Sequence, residues 1–265
     1  MKGIMRIAGA LLAAGSLSLW PTGGVGAARP PIITRTESQV TVLGDGALDI
    51  KYSLTFHETE PRTGITTMGR FDPGRKMLDH HIEHEKRVSP VTMRSQGDGY
   101  YGVDFGFRTR SGVDYTLHVH YRAPRVLDET TIKGASYRVL EWSPVEWNLG
   151  IGEQIVRVIL PIQLPASITK PEEVTDAIVD ETAIVVDTAL VSSFDRWVYY
   201  PTPDQAKGTN WLSIYVSKAK VPPQYHFRPK VYVPARYFAT PAKATPTAPG
   251  PSAQAPTKTV PPLGL

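Results

Sequence analysis

The stretch Val113-Asp114-Tyr115-Thr116-Leu117-His118-Val119-His120-Tyr121 alternates apolar and polar residues without a break. Successive side chains of a strand point to opposite faces, so this pattern describes a strand with one dry face and one wet face. A helix would scatter the same apolar residues around its circumference. The rhythm recurs in Leu48, Ile50, Tyr52, Leu54 and Phe56, and before them in Val40 and Val42, with Gly44-Asp45-Gly46 between the two runs. Alternating runs around an Asp-Gly predict a hairpin. A second hairpin is expected between residues 102–108 and the 113–121 strand, across Thr109-Arg110-Ser111-Gly112.

Working outward, further strands are expected at 138–142, 154–162, 182–190, 195–200, 211–216 and 230–233, parted by proline or glycine. Many short strands with frequent turn signals predict an all-β fold, an antiparallel β-sandwich of immunoglobulin-like or jelly-roll-like kind. One short helix is expected near 170–176, where Pro171 and Glu172-Glu173 suit a first turn. The sandwich is expected to fill residues 29–233 as a single main domain.

The two ends read differently. Lys2 and Arg6 precede the apolar stretch Ile7-Ala8-Gly9-Ala10-Leu11-Leu12-Ala13-Ala14, and small residues Val25-Gly26-Ala27-Ala28 follow a turn-prone Pro21. A basic start, a short apolar run and a small-residue cleavage site make residues 1–28 a secretory signal peptide. The run is too short to span a bilayer, which takes about 20 residues. Beyond it no window is long and apolar enough for a membrane span, so an exported, periplasmic or secreted protein is expected. Residues 234–265 hold eight prolines, seven alanines and five threonines, too little large apolar surface to order themselves, and predict a disordered tail.

Net charge is +4, but the basic excess sits at the ends. Of the 29 Lys and Arg residues, Lys2, Arg6, Arg236, Lys243 and Lys258 lie in the signal or tail, which carry no acid. The body is therefore close to neutral, and a nucleic-acid partner is not expected. Cysteine is absent, which excludes disulfides, thiol catalysis and cysteine-based metal sites; stability must come from the core.

Residues 33–165 resemble the extracytoplasmic domain of a bacterial family of predicted membrane proteins of unknown function. The resemblance lies in the strand pair around Asp45-Gly46, Gly64-Ile65 followed by Arg70, and Asp114-Tyr115-Thr116-Leu117 running into Tyr121. Glu141-Trp142, Trp147-Asn148 and a strand closing at Leu160-Pro161 continue it, and 211–221 is similar to the family's final strand. It implies an exported β-rich domain and no catalytic residues. Two features depart from the family: the Gly-Ile to Arg spacing is wider, and a Pro/Ala/Thr-rich tail stands where the family has transmembrane helices and a glycine-rich end.

Five of the seven histidines fall in two clusters, Asp79-His80-His81-Ile82-Glu83-His84-Glu85 and His118-Val119-His120. His-x-His on a strand puts both imidazoles on one face, about 6–7 Å apart, within reach of a shared ion. If the first cluster is extended, His81, Glu83 and Glu85 point one way and His80 and His84 the other. His118, His120, His80, His81 and His84 are therefore candidate ligands for zinc, nickel or copper. Without a metal, they would be the solvated face of an amphipathic strand and a charged edge that discourages edge-to-edge pairing. Among the aromatics, Trp142 and Trp147 are candidates for an exposed binding surface, since an exposed tryptophan offers rigid area. Trp147, near Pro144 and Asn148, is the one most expected to be exposed; buried, both would fill the core.

No Gly-x-Ser-x-Gly, His-Glu-x-x-His or Gly-rich phosphate loop occurs, so no enzyme is expected. The expected function is that of a non-catalytic envelope protein that binds or scaffolds, with another envelope protein or a cell-wall polymer as partner. A histidine-based divalent-metal binding protein is one alternative, and a hydrolase with dispersed carboxylates is another.

Overall fold

The structure, a computed structural model, describes residues 29–239 except 125 and 126. The expected signal peptide, and the expected tail beyond residue 239, lie outside the described residues. Strands β1 (Ile32–Val42), β2 (Leu48–His57), β3 (Gly64–Met68), β4 (Lys76–His84) and β5 (Arg87–Pro90) come first. They are followed by β6 (Thr92–Gly97), β7 (Tyr100–Asp104), β8 (Asp114–Ala123), β9 (Asp128–Ile132) and β10 (Ala135–Glu141). Then come β11 (Ile151–Leu164), helix α1 (Asp176–Thr182), β12 (Val185–Val186), helix α2 (Thr188–Val191), β13 (Arg196–Asp204), β14 (Thr209–Val221) and β15 (Lys230–Pro234). None of the described helices is long and apolar enough to cross a membrane.

The chain is an all-β sandwich. Its largest sheet has the order β13-β14-β11-β1-β2-β8-β4-β5, and two smaller sheets run β12-β15-β10-β9 and β3-β7-β6. The alternation decides which face of the large sheet is dry. Ile50, Tyr52, Leu54 and Phe56 of β2 and Tyr115, Leu117, Val119 and Tyr121 of β8 are all buried. Ile65, Met68 and Val103 of one small sheet and Leu140, Val231 and Val233 of the other join them in a single core. At about 1.5–3 kcal/mol for each large apolar side chain removed from water, this core carries the fold without any disulfide. The opposite face of β2, β8 and β4 holds the polar partners of the alternation, and there His81, His118 and His120 lie.

The β1–β2 hairpin forms around Gly44-Asp45-Gly46 as expected, with Val42 opposite Leu48. The other expected hairpin does not form. Strand β7 pairs with β3 and β6, while β8 pairs with β2 and β4. Glu58 explains the choice: its backbone N–H and C=O bind Val113 and Gly112 at 2.9 and 2.8 Å, which leads β8 onto β2. Among the described residues one strand pair is parallel, β1 with β11, and it joins β13-β14-β11 to β1-β2-β8-β4-β5 within the large sheet.

The 182–190 segment is also not a strand over most of its length. Val185–Val186 pair briefly with β15, and then Asp187 caps α2 by accepting from the Ala189 amide at 2.9 Å. Such local carboxylate-to-backbone bonds start helices where β-branched residues would otherwise extend the chain. The ordered body runs beyond residue 233. Pro234 closes β15, Tyr237 and Phe238 pack against the core, and the Ala239 amide donates to the Gly44 carbonyl at 2.7 Å.

Strands β4 and β5 are joined by the two residues Glu85 and Lys86, both at positive φ, 45° and 65°. A two-residue turn of this kind favours Asn-Gly, because a side chain bearing Cβ is strained in the left-handed region by about 1–2 kcal/mol. Lys86→Gly is therefore expected to stabilise the domain by about 0.5–1 kcal/mol, read as a higher urea midpoint at unchanged m-value. Glu85 is better left in place, because it pairs with Arg110 at 2.6 Å.

Candidate metal centre

Strand β4 lies beside β8 with His81 opposite His118 and Glu83 opposite Thr116. A register irregularity between Met77 and Asp79 sets this match. On the wet face the two imidazoles stack, with ring centroids 4.8 Å apart and planes 23° from parallel. His81 Nε2 lies 3.5 Å from Glu83 Oε1, and His118 Nε2 lies 3.5 Å from Glu83 Oε2. The three ligand atoms all fall within 4.8 Å of one another. A tetrahedral zinc with bonds of 2.0–2.1 Å needs its ligands about 3.3 Å apart. The two imidazole–carboxylate separations already approach that value.

Proton placement sharpens the point. His81 Nδ1 is 3.0 Å from Asp79 Oδ2. A carboxylate only accepts, so Nδ1 carries the proton. In neutral His81 the Nε2 lone pair then faces the Glu83 carboxylate, an arrangement that a cation between them, a proton or a metal ion, would stabilise. Asp79 thus stands to His81 as the outer carboxylate stands to a metal-bound histidine, fixing tautomer and ring orientation. His118 Nε2 is itself out of contact with solvent, and beyond the 3.5 Å approach to Glu83 Oε2 it has no hydrogen-bond partner among the described residues. Burial pushes the His118 pKa below its ordinary value, against the opposing pull of Glu83, a shift that favours the neutral ring, the form that donates a lone pair to a metal.

The five candidate histidines therefore divide. His81 and His118 converge. His120 shares their face and the same cleft of about 350 Å³, but its Nε2 is paired with Asp49 Oδ1 at 2.9 Å. His80 and His84 stand on the core side of β4. His84 stacks on Phe107 and packs on Tyr115, at 5.2 and 5.1 Å between centroids. Expecting all five as ligands is thus corrected by the strand pleat, which sends His80 and His84 to the opposite side from His81. Glu83 was legible as a ligand because it alternates in phase with His81. Asp79 was not, because its role depends on the local irregularity in β4.

The expected aromatic surface is absent. Trp147 is only 2% exposed and donates its indole N–H to Tyr52 Oη at 2.9 Å. Trp142 is 3% exposed and donates to Asp72 Oδ2 at 3.0 Å. Both rings gain more from the core than from water once their single donor has an acceptor. Neither can anchor a partner.

No protein-family model and no curated protein matches the chain. Among solved structures, it is similar in backbone to the M1 zinc metallopeptidase of Deinococcus radiodurans, at a TM-score of 0.43 and 14% identity, over 78% of this chain and 42% of that one. A mutant of that enzyme bound to a Tyr-Ser-Ala substrate gives a TM-score of 0.44 and 13% identity, over 78% and 43%. The chain spans less than half the length of these enzymes.

Proposed function

We propose that this is an exported, non-catalytic envelope protein that binds a divalent metal ion through His81, Glu83 and His118. The observation that carries the reading is the convergence of two imidazole Nε2 atoms on one carboxylate, with Asp79 holding the His81 tautomer that leaves Nε2 free. Two nitrogens and one oxygen suit zinc, nickel or copper and leave a coordination position open for water. Export is supported by the composition of residues 1–28, and an envelope setting by the resemblance of residues 33–165.

Titration calorimetry with zinc tests this. At pH 7.5 one equivalent is expected to bind; His118→Ala and Glu83→Ala should each weaken it at least 100-fold. Asp79→Ala should weaken it about 10-fold, the usual loss for an outer-shell carboxylate. His120→Ala serves as the control and should bind as the wild type does. Equal zinc binding by all four variants and the wild type would place the metal elsewhere.

The pH dependence has a definite sign. Metal competes with protons for the imidazoles, so affinity should hold above pH 6.5 and fall as pH drops through the histidine range. His118, whose pKa is lowered in the fold, also favours the folded state above the unfolded value of 6.5 and loses that contribution as pH falls through its folded value. Acid should thus release the ion and loosen β4 together.

A further inference from the structure

Each of the three sheets ends in two edge strands. An unpaired edge is a template for another chain, and proteins usually guard it with prolines, irregularities or brevity. Prolines stand in both edges of the large sheet, Pro201 and Pro203 in β13 and Pro90 in β5. Strands β3 and β6 are each broken by a register shift, and β12 has only two residues. Strand β9 carries none of these guards. Its residues Asp128–Ile132 pair with β10 in unbroken register.

The hairpin geometry decides which groups β9 leaves free. Lys133 and Gly134, both at positive φ, form a two-residue turn between Ile132 and Ala135. The residues flanking such a turn exchange backbone hydrogen bonds, and every second pair does so from there. Thr130 therefore bonds Tyr137. Pro234 supports this phase, because it lies opposite Tyr137 on the far side of β10 and has no N–H to donate there. The N–H and C=O groups of Glu129 and Thr131 are thus turned away from β10, and β10 is the strand that β9 pairs with among the described residues. Both residues are exposed.

This edge is complementary to itself. The Glu129 carboxylate is paired with Arg138 across the hairpin, so it does not present a bare charge to an incoming strand. Lys133 is exposed and has no ion-pair partner among the described residues. We propose that β9 is an interface for a second copy of this chain, the two β9 strands pairing antiparallel about a two-fold axis at Thr130. Glu129 then lies opposite the partner's Thr131, and each such pair exchanges two backbone hydrogen bonds. The partner's Lys133 is diagonal to Glu129, Thr130 faces the partner's Thr130, and no like charges stand opposite one another. Two four-stranded sheets become one, through an isologous contact that closes on itself.

Sedimentation velocity of the full chain in metal-free buffer, between about 5 and 500 µM, tests this in the range of small interfaces. A concentration-dependent shift from the mass of one chain to that of two is expected, with the Glu129 and Thr131 amides gaining protection from hydrogen exchange as it occurs. Thr131→Pro removes an outward N–H that the hairpin does not use, and proline is tolerated at such an edge position. It should weaken dimer formation at least 10-fold at an unchanged urea midpoint. Thr130→Lys, which sets two ammonium groups face to face on the axis, should do the same and decides the matter if the proline variant is destabilised. A single-chain mass at every concentration, or a dimer that survives in a folded variant, overturns the proposal. Zinc binding at His81 and His118 is measured separately on the same proteins, so a failure here leaves the metal reading standing.

Discussion

Glu58→Ala is expected to lower the stability of the domain by about 3–5 kcal/mol, the largest loss any single charge removal should cause. Glu58 is fully buried at the end of β2. Its carboxylate receives Arg62 Nε at 2.9 Å and Nη2 at 2.8 Å, and Thr109 Oγ1 at 2.9 Å. The amide of Thr59 donates to it at 3.1 Å. Arg62 in turn joins Thr109 through two backbone-linked bonds, both 2.8 Å. The carboxylate is therefore the hub that fastens the loop after β2 to the loop before β8, and with it the pairing of the two central strands. Removing it strands a largely buried guanidinium, which costs far more than the pair contributes over an apolar replacement. Urea unfolding should show the loss as a lower midpoint, and a double variant that also carries Arg62→Met should recover part of it. The exposed pair Arg94–Asp104, at 3.6 Å, is the contrast: its removal should change stability by less than about 1 kcal/mol.

The second large effect is at Trp147. Trp147→Ala should cost about 3–5 kcal/mol, because it opens a cavity in the core and leaves the buried Tyr52 hydroxyl without its donor. Tyr52 is deeply buried, and that burial pushes its phenol pKa well above the ordinary tyrosine value, so it stays protonated across the working pH range. Trp147→Phe keeps most of the ring and loses the hydrogen bond, for a smaller expected loss of about 1–3 kcal/mol. Urea unfolding of the three proteins separates the terms. If Trp147→Ala left stability unchanged, the ring could not be in the core.

These two residues also show what local pattern could and could not reveal. The dry and wet faces of β2 and β8 were legible because alternation is a local signal, and so was the phase that puts His81 with Glu83 and apart from His80 and His84. Trp147 was not legible. It lies in an irregular segment after Pro144, where no periodicity assigns a face, and its partner Tyr52 is 95 residues away. The pairing of β8 was misread for a related reason. Neighbouring alternating runs suggest a hairpin, but the buried Glu58–Arg62–Thr109 network spans the two loops and brings β2 to β8 instead. The convergence of His81 on His118 likewise needed the β4–β8 register, which depends on one irregularity at Leu78 that the sequence alone does not mark.

The proposed metal ion sits between β4 and β8 on the wet face of the large sheet. A crystal grown at pH 7.5 with zinc, with diffraction collected on both sides of the zinc absorption edge, tests it most directly. The expected result is an anomalous peak about 2.0–2.1 Å from His81 Nε2 and His118 Nε2 and in contact with the Glu83 carboxylate. Zinc peaks only elsewhere, with His81 still stacked on His118 and nothing between their Nε2 atoms and Glu83, would contradict it.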